Sequence, residues 1–369
     1  MKRKIIILVR VPFIDKIPSL KALIVYFAKH GVQVTIISSY NERYPTFDFQ
    51  SNNINVELVK ERNSKYGLPT SLKMLLKCVK KYITNRPNAI IGGDDKACQL
   101  LCWLSEILPI RYINFLLEYP DINNPEEAKS LMAASYIITH DKWHGDFLFK
   151  HYHINTSKIL YLPNASYTPQ YYKRTDFLKK MLNIPLKKNV ILHSGGLGVW
   201  FLCKELAYST QGWKEDDVLV FHTSHHVEDT TYYKEMVANL PNKGKVFFST
   251  RPVSNETLDE LVASASIGIA LYSVEILGYR ATYMGLAAGK IGNYLKCGVP
   301  VIATRVPSLT YLEEYQCGML IDELSEIPKA LQTIHKNYAK YSENAHKCYS
   351  CLWEPSKYLE RIYEELFQS

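Results

Sequence analysis

Two segments of this 369-residue chain carry residue types suited to holding a phosphate. In GKIGNYLKCGVPVIAT, Gly289 to Thr304, a helix beginning near Gly289 presents free backbone amides and its positive dipole end, and Lys290 adds a full charge. Cys297-Gly298 closes that helix, and VPVIA supplies the next buried strand. Upstream, VILHSGGLG, Val190 to Gly198, reads as a buried strand running into a glycine turn. Gly195 and Gly196 would let the backbone approach a diphosphate where any Cβ would block it. The turn lacks the GxGxxG spacing of dinucleotide sites. Lys204, a few residues on, is either a second phosphate partner or a solvated helix lysine.

Carboxylates and a histidine follow three strand-like runs of the first half: Asp94-Asp95 after AIIGG, Glu118 after INFLL, and His140-Asp141 after YIIT. Groups so placed orient an acceptor hydroxyl or take its proton, which makes Glu118, Asp95 and His140 the catalytic candidates. Asp95 and Asp141 also suit the N-caps of the helices that follow. Glu118 precedes Tyr119-Pro120, caps nothing obvious, and ranks first. His222, His225 and His226 in FHTSHH lack a carboxylate and include two adjacent, diverging side chains, so no metal site is expected there. Cys348 and Cys351, with His346 nearby, lack the second ligand pair of a zinc site.

Short β-branched runs alternate with longer amphipathic segments, the pattern of parallel sheets with crossover helices. One series runs from Lys4 to Leu162 and a second from Val190 to Ile321, separated by YLPNASYTPQYY, where periodicity is lost. The expected fold class is α/β, two Rossmann-like domains with parallel sheets facing across a cleft, with ligands beyond the carboxyl ends of the strands. The expected domains are residues 1–165, residues 166–350, and a C-terminal helix in 351–369 that returns toward the first domain.

The composition, 47% hydrophobic and 22% charged, excludes disordered and collagen-like chains. Arg10 interrupts the first apolar run after five residues, which argues for a buried strand over a signal peptide. No segment reaches the roughly 20 apolar residues of a spanning helix, and the cysteines are scattered as in reduced cytosolic proteins. The net charge of +8 is confined to one half: residues 1–165 hold 22 Lys+Arg against 14 Asp+Glu, and the remainder is balanced at 22 and 22. Lys73, Lys77, Lys80, Lys81 and Arg86 recur along LKMLLKCVKKYITNR, a basic amphipathic helix of the kind that lies on anionic lipid. A nucleic-acid partner is not expected, because no recognised binding motif accompanies the charge.

The Gly289 to Thr304 segment resembles the nucleotide-sugar site of retaining GT-B glycosyltransferases of the family-4-like group, in which a stretch such as KLFEYLAAGKPVIAT occupies this place. Lys290, Tyr294, Gly298, Pro300 and Val301 fall on that pattern. The family's ribose-binding glutamate falls on Asn293, and its earlier glutamate on Gly285, with Glu275 in the loop SVEILGYRATYMG as a stand-in. The run KVFFSTRPVSNETLDELVASASIGIALY is similar to the family's base-binding region, which would set Arg251 against the nucleobase and Tyr272 at the mouth of the next strand.

The resemblance implies a glycosyltransferase that takes its donor, a UDP- or GDP-linked sugar, on Gly195, Gly196, Lys204, Arg251, Tyr272, Lys290 and Asn293. It implies no cofactor and no metal, an acceptor that is a glycan or a lipid-linked glycan, and a place in surface polysaccharide or glycoconjugate synthesis. The expected location is cytoplasmic, with peripheral contact to an anionic membrane surface. The rival readings are a nucleotide-sugar epimerase on the same fold and a non-catalytic partner subunit.

Overall fold

The structure, a computed structural model, describes residues 2–12, 14, 17–41, 49, 51–61, 67–224 and 226–367, and the side chains of all of these except 255 and 256. The chain divides into two compact units, Met1–Thr168 with Glu354–Ser369, and Pro169–Trp353.

The first unit alternates strands β1 (Lys4–Val9), β2 (Gln33–Tyr40), β3 (Ile54–Lys60), β4 (Ala89–Gly92), β5 (Tyr112–Phe115), β6 (Tyr136–Thr139) and β7 (Ile159–Tyr161) with helices. The helices are α1 (Pro18–Lys29), α2 (Leu68–Asn85), α3 (Asp95–Ser105), α4 (Pro125–Ala133) and α5 (Lys142–Tyr152). The strands pair in parallel in the order β3-β2-β1-β4-β5-β6-β7. A parallel sheet is covered on both faces, which is why β1 reads as an unbroken apolar run. Its Ile5, Ile7 and Val9 join Leu23 and Phe27 of α1 on one face, while Ile6 and Leu8 join Met74 and Cys78 of α2 and Leu101 of α3 on the other. The last helix of the chain, Ser356–Phe367, closes the first of these faces with Leu359, Ile362, Tyr363 and Leu366.

Where the strand order reverses, between β1 and β4, one carboxylate fastens the strand ends. Asp94 accepts from the backbone N–H groups of Arg10 at 2.5 Å, Val11 at 3.1 Å and Ala97 at 2.9 Å. It is Asp94, therefore, and not Asp95, that caps α3, while Asp141 caps α5 as its residue type suggests. Asp94→Ala leaves three buried donors without an acceptor and is expected to cost about 3 kcal/mol or more, read as a lowered urea midpoint at unchanged slope.

In the second unit a five-residue helix, α6 (Phe177–Met181), precedes a six-stranded sheet. Its strands are β8 (Asn189–Ser194), β9 (Asp217–His222), β10 (Val246–Ser249), β11 (Ile267–Ala270), β12 (Val301–Thr304) and β13 (Gly318–Ile321), all parallel, in the order β10-β9-β8-β11-β12-β13. The crossovers are α7 (Cys203–Ser209), α8 (Thr231–Ala238), α9 (Asn255–Ala263), the short pair α10 (Val274–Leu277) and α11 (Tyr279–Thr282), α12 (Gly289–Lys296) and α13 (Tyr311–Glu314). Two further helices, α14 (Ile327–Lys336) and α15 (Tyr338–Cys348), lead into a π-helical turn at Tyr349–Trp353.

Each sheet reverses its order beside its first strand, the place where doubly wound sheets leave a crevice at the carboxyl ends. Among the described residues no helix is long and apolar enough to cross a membrane.

Candidate nucleotide-sugar site in the second unit

The crevice of the second unit lies between the ends of β8 and β11, and a tyrosine of α12 builds its floor. Tyr294 is fully buried, donates its hydroxyl to the carbonyl of Leu192 at 2.8 Å and accepts from the backbone N–H of Ser194 at 2.7 Å. Its ring occupies the space left by Gly268 on β11, where a Cβ would lie 2.4 Å from the ring. The helix is thereby fixed against both strands. Lys296, two residues on, is buried in an ion pair with Asp259 at 2.6 Å. Gly298, at φ +63, ends the helix in the left-handed conformation that suits glycine.

The N-terminus of α12 has no side-chain cap. Beside it Lys290 turns its Nζ inward, where it is shielded from solvent and has no hydrogen-bond partner. The ammonium lies 3.7 Å from the ring centroid of Phe201 and 5.3 Å from that of Tyr272. These ring faces stabilise a cation in part, but burial still pulls its pKa down to about 8. A buried cation without a counter-charge is costly, and an anion at the same place removes the cost.

The strand end facing this ammonium is Ser194-Gly195-Gly196. Gly195 sits at φ +144, a conformation L side chains rarely adopt, and a Cβ there would meet Cε and Nζ of Lys290 at 3.4 Å. His193, buried at the end of β8, has Nε2 3.1 Å from the carbonyl of Gly196, so Nε2 carries the proton. Burial, and then the charge of Lys290, hold this imidazole neutral, well below the usual histidine range.

Of the donor-side residues expected from sequence, the fold therefore gathers Gly195, Gly196, Tyr272 and Lys290 around one buried point. Asn293 is half-buried one turn beyond Lys290, on the adjacent helix position. Lys204 is drawn away, with its Nζ 2.6 Å from Glu235 and 4.7 Å from the ring centroid of Tyr232. Arg251 is exposed in the loop after β10, and Ser254 next to it caps α9 through the N–H of Thr257. Gly285 lies in a tight turn at φ +49 with its N–H on Ser308, and Glu275 is exposed in the first turn of α10.

Sequence reasoning missed Phe201, whose ring carries the Lys290 contact. The segment reads as one helix from Phe201 onward, but Leu202 at φ +52 breaks it and leaves Val199–Phe201 as a separate turn.

His222 is buried with Nδ1 2.9 Å from the Ser249 hydroxyl, His226 is exposed at neither strand nor helix, and His225 lies outside the described residues. Among the described residues no group of three or more His, Cys, Asp and Glu could hold a metal ion. Cys348 is buried and Cys351 exposed, and neither is in a disulfide.

In the first unit, Glu118 is exposed just past β5 and Asp95 lies in the first turn of α3, 3.6 Å from Lys96. His140 is buried, with its ring nitrogens 3.1 Å from the carbonyl of Leu162 and 3.0 Å from that of Leu117. Both faces of its proton chemistry are thus turned to backbone oxygens. Burial and the neighbouring His144 lower its pKa to about 4.

Residues 213–364, under half of the chain, match the family described as "Glucosyltransferase 3-like, C-terminal domain". The solved structures it resembles include sucrose-phosphate synthase from Thermosynechococcus elongatus, with a TM-score of 0.79 at 13% identity over 99% of this chain and 100% of that one. HepE of Anabaena, in complex with UDP and glucose, superposes with a TM-score of 0.71 at 15% identity over the whole of both chains. The chain has the GT-B fold of glycosyltransferases. A glycosyltransferase from Rickettsia africae shares the GT-B fold at a TM-score of 0.70 and 13% identity, over 100% of this chain and 99% of that one. No curated protein matches the sequence. Within the GT-B fold, the Lys290 point lies inside the family-matched segment, as do Tyr272, Arg251 and Asn293, while Gly195 and Gly196 precede it.

Proposed function

We propose that the protein is a glycosyltransferase that binds a nucleotide diphosphate sugar in its second unit and transfers the sugar to a glycan or lipid-linked glycan presented to its basic first unit. The observation that carries this reading is the shielded, unpartnered ammonium of Lys290 at the uncapped start of α12, facing the Gly195-Gly196 turn. A diphosphate there meets a full charge, helix amides and a backbone with no Cβ in the way. The same groups act on the leaving group. As the glycosidic bond breaks, negative charge grows on the diphosphate, and preorganised positive groups in a dry site favour that charge most strongly.

UDP-glucose is the donor we favour, because the family match is to glucosyltransferase 3-like domains and the HepE structures hold UDP and UDP-glucose. Transfer is assigned as retaining and metal-independent, with Glu118 and Asp95 as the groups nearest in kind to an acceptor base. His140, with both ring nitrogens against carbonyls, is assigned to structure. The pathway proposed is surface polysaccharide or glycoconjugate synthesis.

A thermal-shift series with UDP-, GDP- and dTDP-sugars tests the donor, since a ligand that binds only the folded state raises its midpoint. A shift with UDP-glucose and none with GDP-sugars is expected. Absence of any shift with all three would reject the site. Incubation with the nucleotide sugar alone separates transfer from epimerisation, because an epimerase converts its ligand with no acceptor.

The depressed pKa of Lys290 fixes the pH response. Only the protonated form pairs with the diphosphate, so UDP affinity is expected to be level below pH about 8 and to fall up to roughly tenfold per unit above it. Apo stability moves the other way. Between about 8 and the ordinary lysine value of 10.5 the unfolded chain holds more protons at this site than the folded one, so unfolding becomes harder as pH rises through that window. Calorimetric titration and thermal melts over the same pH series read the two slopes.

A further inference from the structure

Helix α2 packs on the first sheet through Thr70, Ser71, Met74 and Cys78. Its leucines do not all follow. Leu68, Leu72, Leu76 and Ile83 are 74%, 55%, 62% and 64% exposed, and their spacing of four and seven residues sets them in one stripe along the helix. Trp103 on α3, which shares the same core cluster, and Ile107 in the turn after it are exposed as well, at 49% and 80%. Exposed apolar residues grouped in this way mark an interaction site in most proteins.

The charges beside the stripe select that partner. Lys77 and Lys81 both reach Glu57 on β3, at 2.8 and 2.7 Å, and are spent within the fold. Lys73, Lys80 and Arg86 are exposed and take part in no ion pair among the described residues, and no Asp or Glu occurs between residues 68 and 93. Towards α3 and α4 the carboxylates are engaged locally: Glu106 pairs with Lys129, and Glu126 accepts from the Trp103 indole.

We propose that α2, together with Trp103 of α3 and Ile107 in the turn after it, lies flat on an anionic phospholipid surface. Leu68, Leu72, Leu76 and Ile83 enter the acyl boundary, and Lys73, Lys80 and Arg86 meet the phosphates. An apolar stripe bordered by unpaired cations and free of carboxylates is the signature of an interfacial helix, and an indole is at home at the headgroup level. A helical protein partner for this stripe would be expected to offer an acidic rim, and it enters the test as the competing outcome. The inference concerns the first unit and does not depend on the donor site, so either can fail without the other.

The full-length protein is mixed with vesicles of phosphatidylcholine alone and of phosphatidylcholine with phosphatidylglycerol, and flotation separates bound from free. Binding to the anionic vesicles, little to the neutral ones, and release by high salt are expected. The double variant Lys73→Glu and Lys80→Glu should lower partition by roughly a thousandfold, at about a factor of five to six for each charge removed and again for each charge added. The triple variant Leu72→Ser, Leu76→Ser and Ile83→Ser should abolish it.

All five positions are exposed, so melting temperatures and the UDP shift are controls that should not move. Wild-type protein left in solution with both vesicle types overturns the proposal. So does a triple variant that floats like the wild type. If sedimentation instead shows a dimer that the triple variant converts to monomer, with no flotation of either, the stripe is a self-association face and the proposal falls.

Discussion

Lys290→Met is expected to weaken UDP binding by about a hundredfold, since truncating one partner of a desolvated charge pair costs on the order of 2–5 kcal/mol. The same change is expected to leave the unliganded protein as stable as before, or slightly more so. In the empty site the ammonium has no counter-charge, only the rings of Phe201 and Tyr272, and replacing an unpaired buried ion by an apolar side chain of similar length removes a desolvation cost. Affinity and stability therefore move in opposite directions. A lysine serving the fold would show the two falling together, and that result in paired calorimetry and melts would remove Lys290 from the donor site. Sugar transfer should drop at least as far as binding, because the charge acts most strongly on the departing diphosphate.

The second large effect is structural and belongs to Trp353. Its ring is fully buried against α12, over Gly292, where a Cβ would come within 2.5 Å of the indole. Trp353→Ala should cost about 3–5 kcal/mol through lost burial and the cavity left behind. Gly292→Ala alone should cost about 1–3 kcal/mol by overpacking. In the double variant the new methyl fills part of the space the indole vacated, so the two losses should not add. A double-mutant cycle on urea midpoints reads the coupling, and simple additivity would mean that the ring and the helix are independent.

The sheets were legible because strands covered on both faces are apolar without interruption, as in KIIILV and VILHS. All thirteen strands of the two sheets fall on runs recognisable in the sequence. The region after β13 was not read as helical, although IPKALQTIHK repeats its apolar residues at Ile327, Leu331 and Ile334, which are buried. Lys329 between them, His335 after them and Pro328 at the start obscure a helix beginning that proline in fact favours.

The site divides in the same way. Lys290 and the glycine turn stood out because charge and small size at a helix start and a strand end have few other uses. Phe201 did not, since an aromatic residue beside a helix reads as core until its ring is seen against the ammonium. Nor could sequence choose which side of α2 faces the sheet. Met74 and Cys78 take the core, and Leu72 and Leu76 are left outside.

The phenol of Tyr294 has a consequence for how this unit could change its chemistry. Strands β8 and β11 pair over only two residue positions, and beyond them the tyrosine hydroxyl, bonded to Leu192 and Ser194 of β8 and 3.3 Å from the carbonyl of Ile269 on β11, stands in for the missing ladder. The distance between the two strand ends is set by a rigid ring of fixed length. The segment that follows β11, with the short helices α10 and α11, is attached beyond this brace and does not form it. New loop sequences could then be tried against new sugars or bases with the phosphate anchor held in place, and the cost of such variation would be confined to the loops themselves.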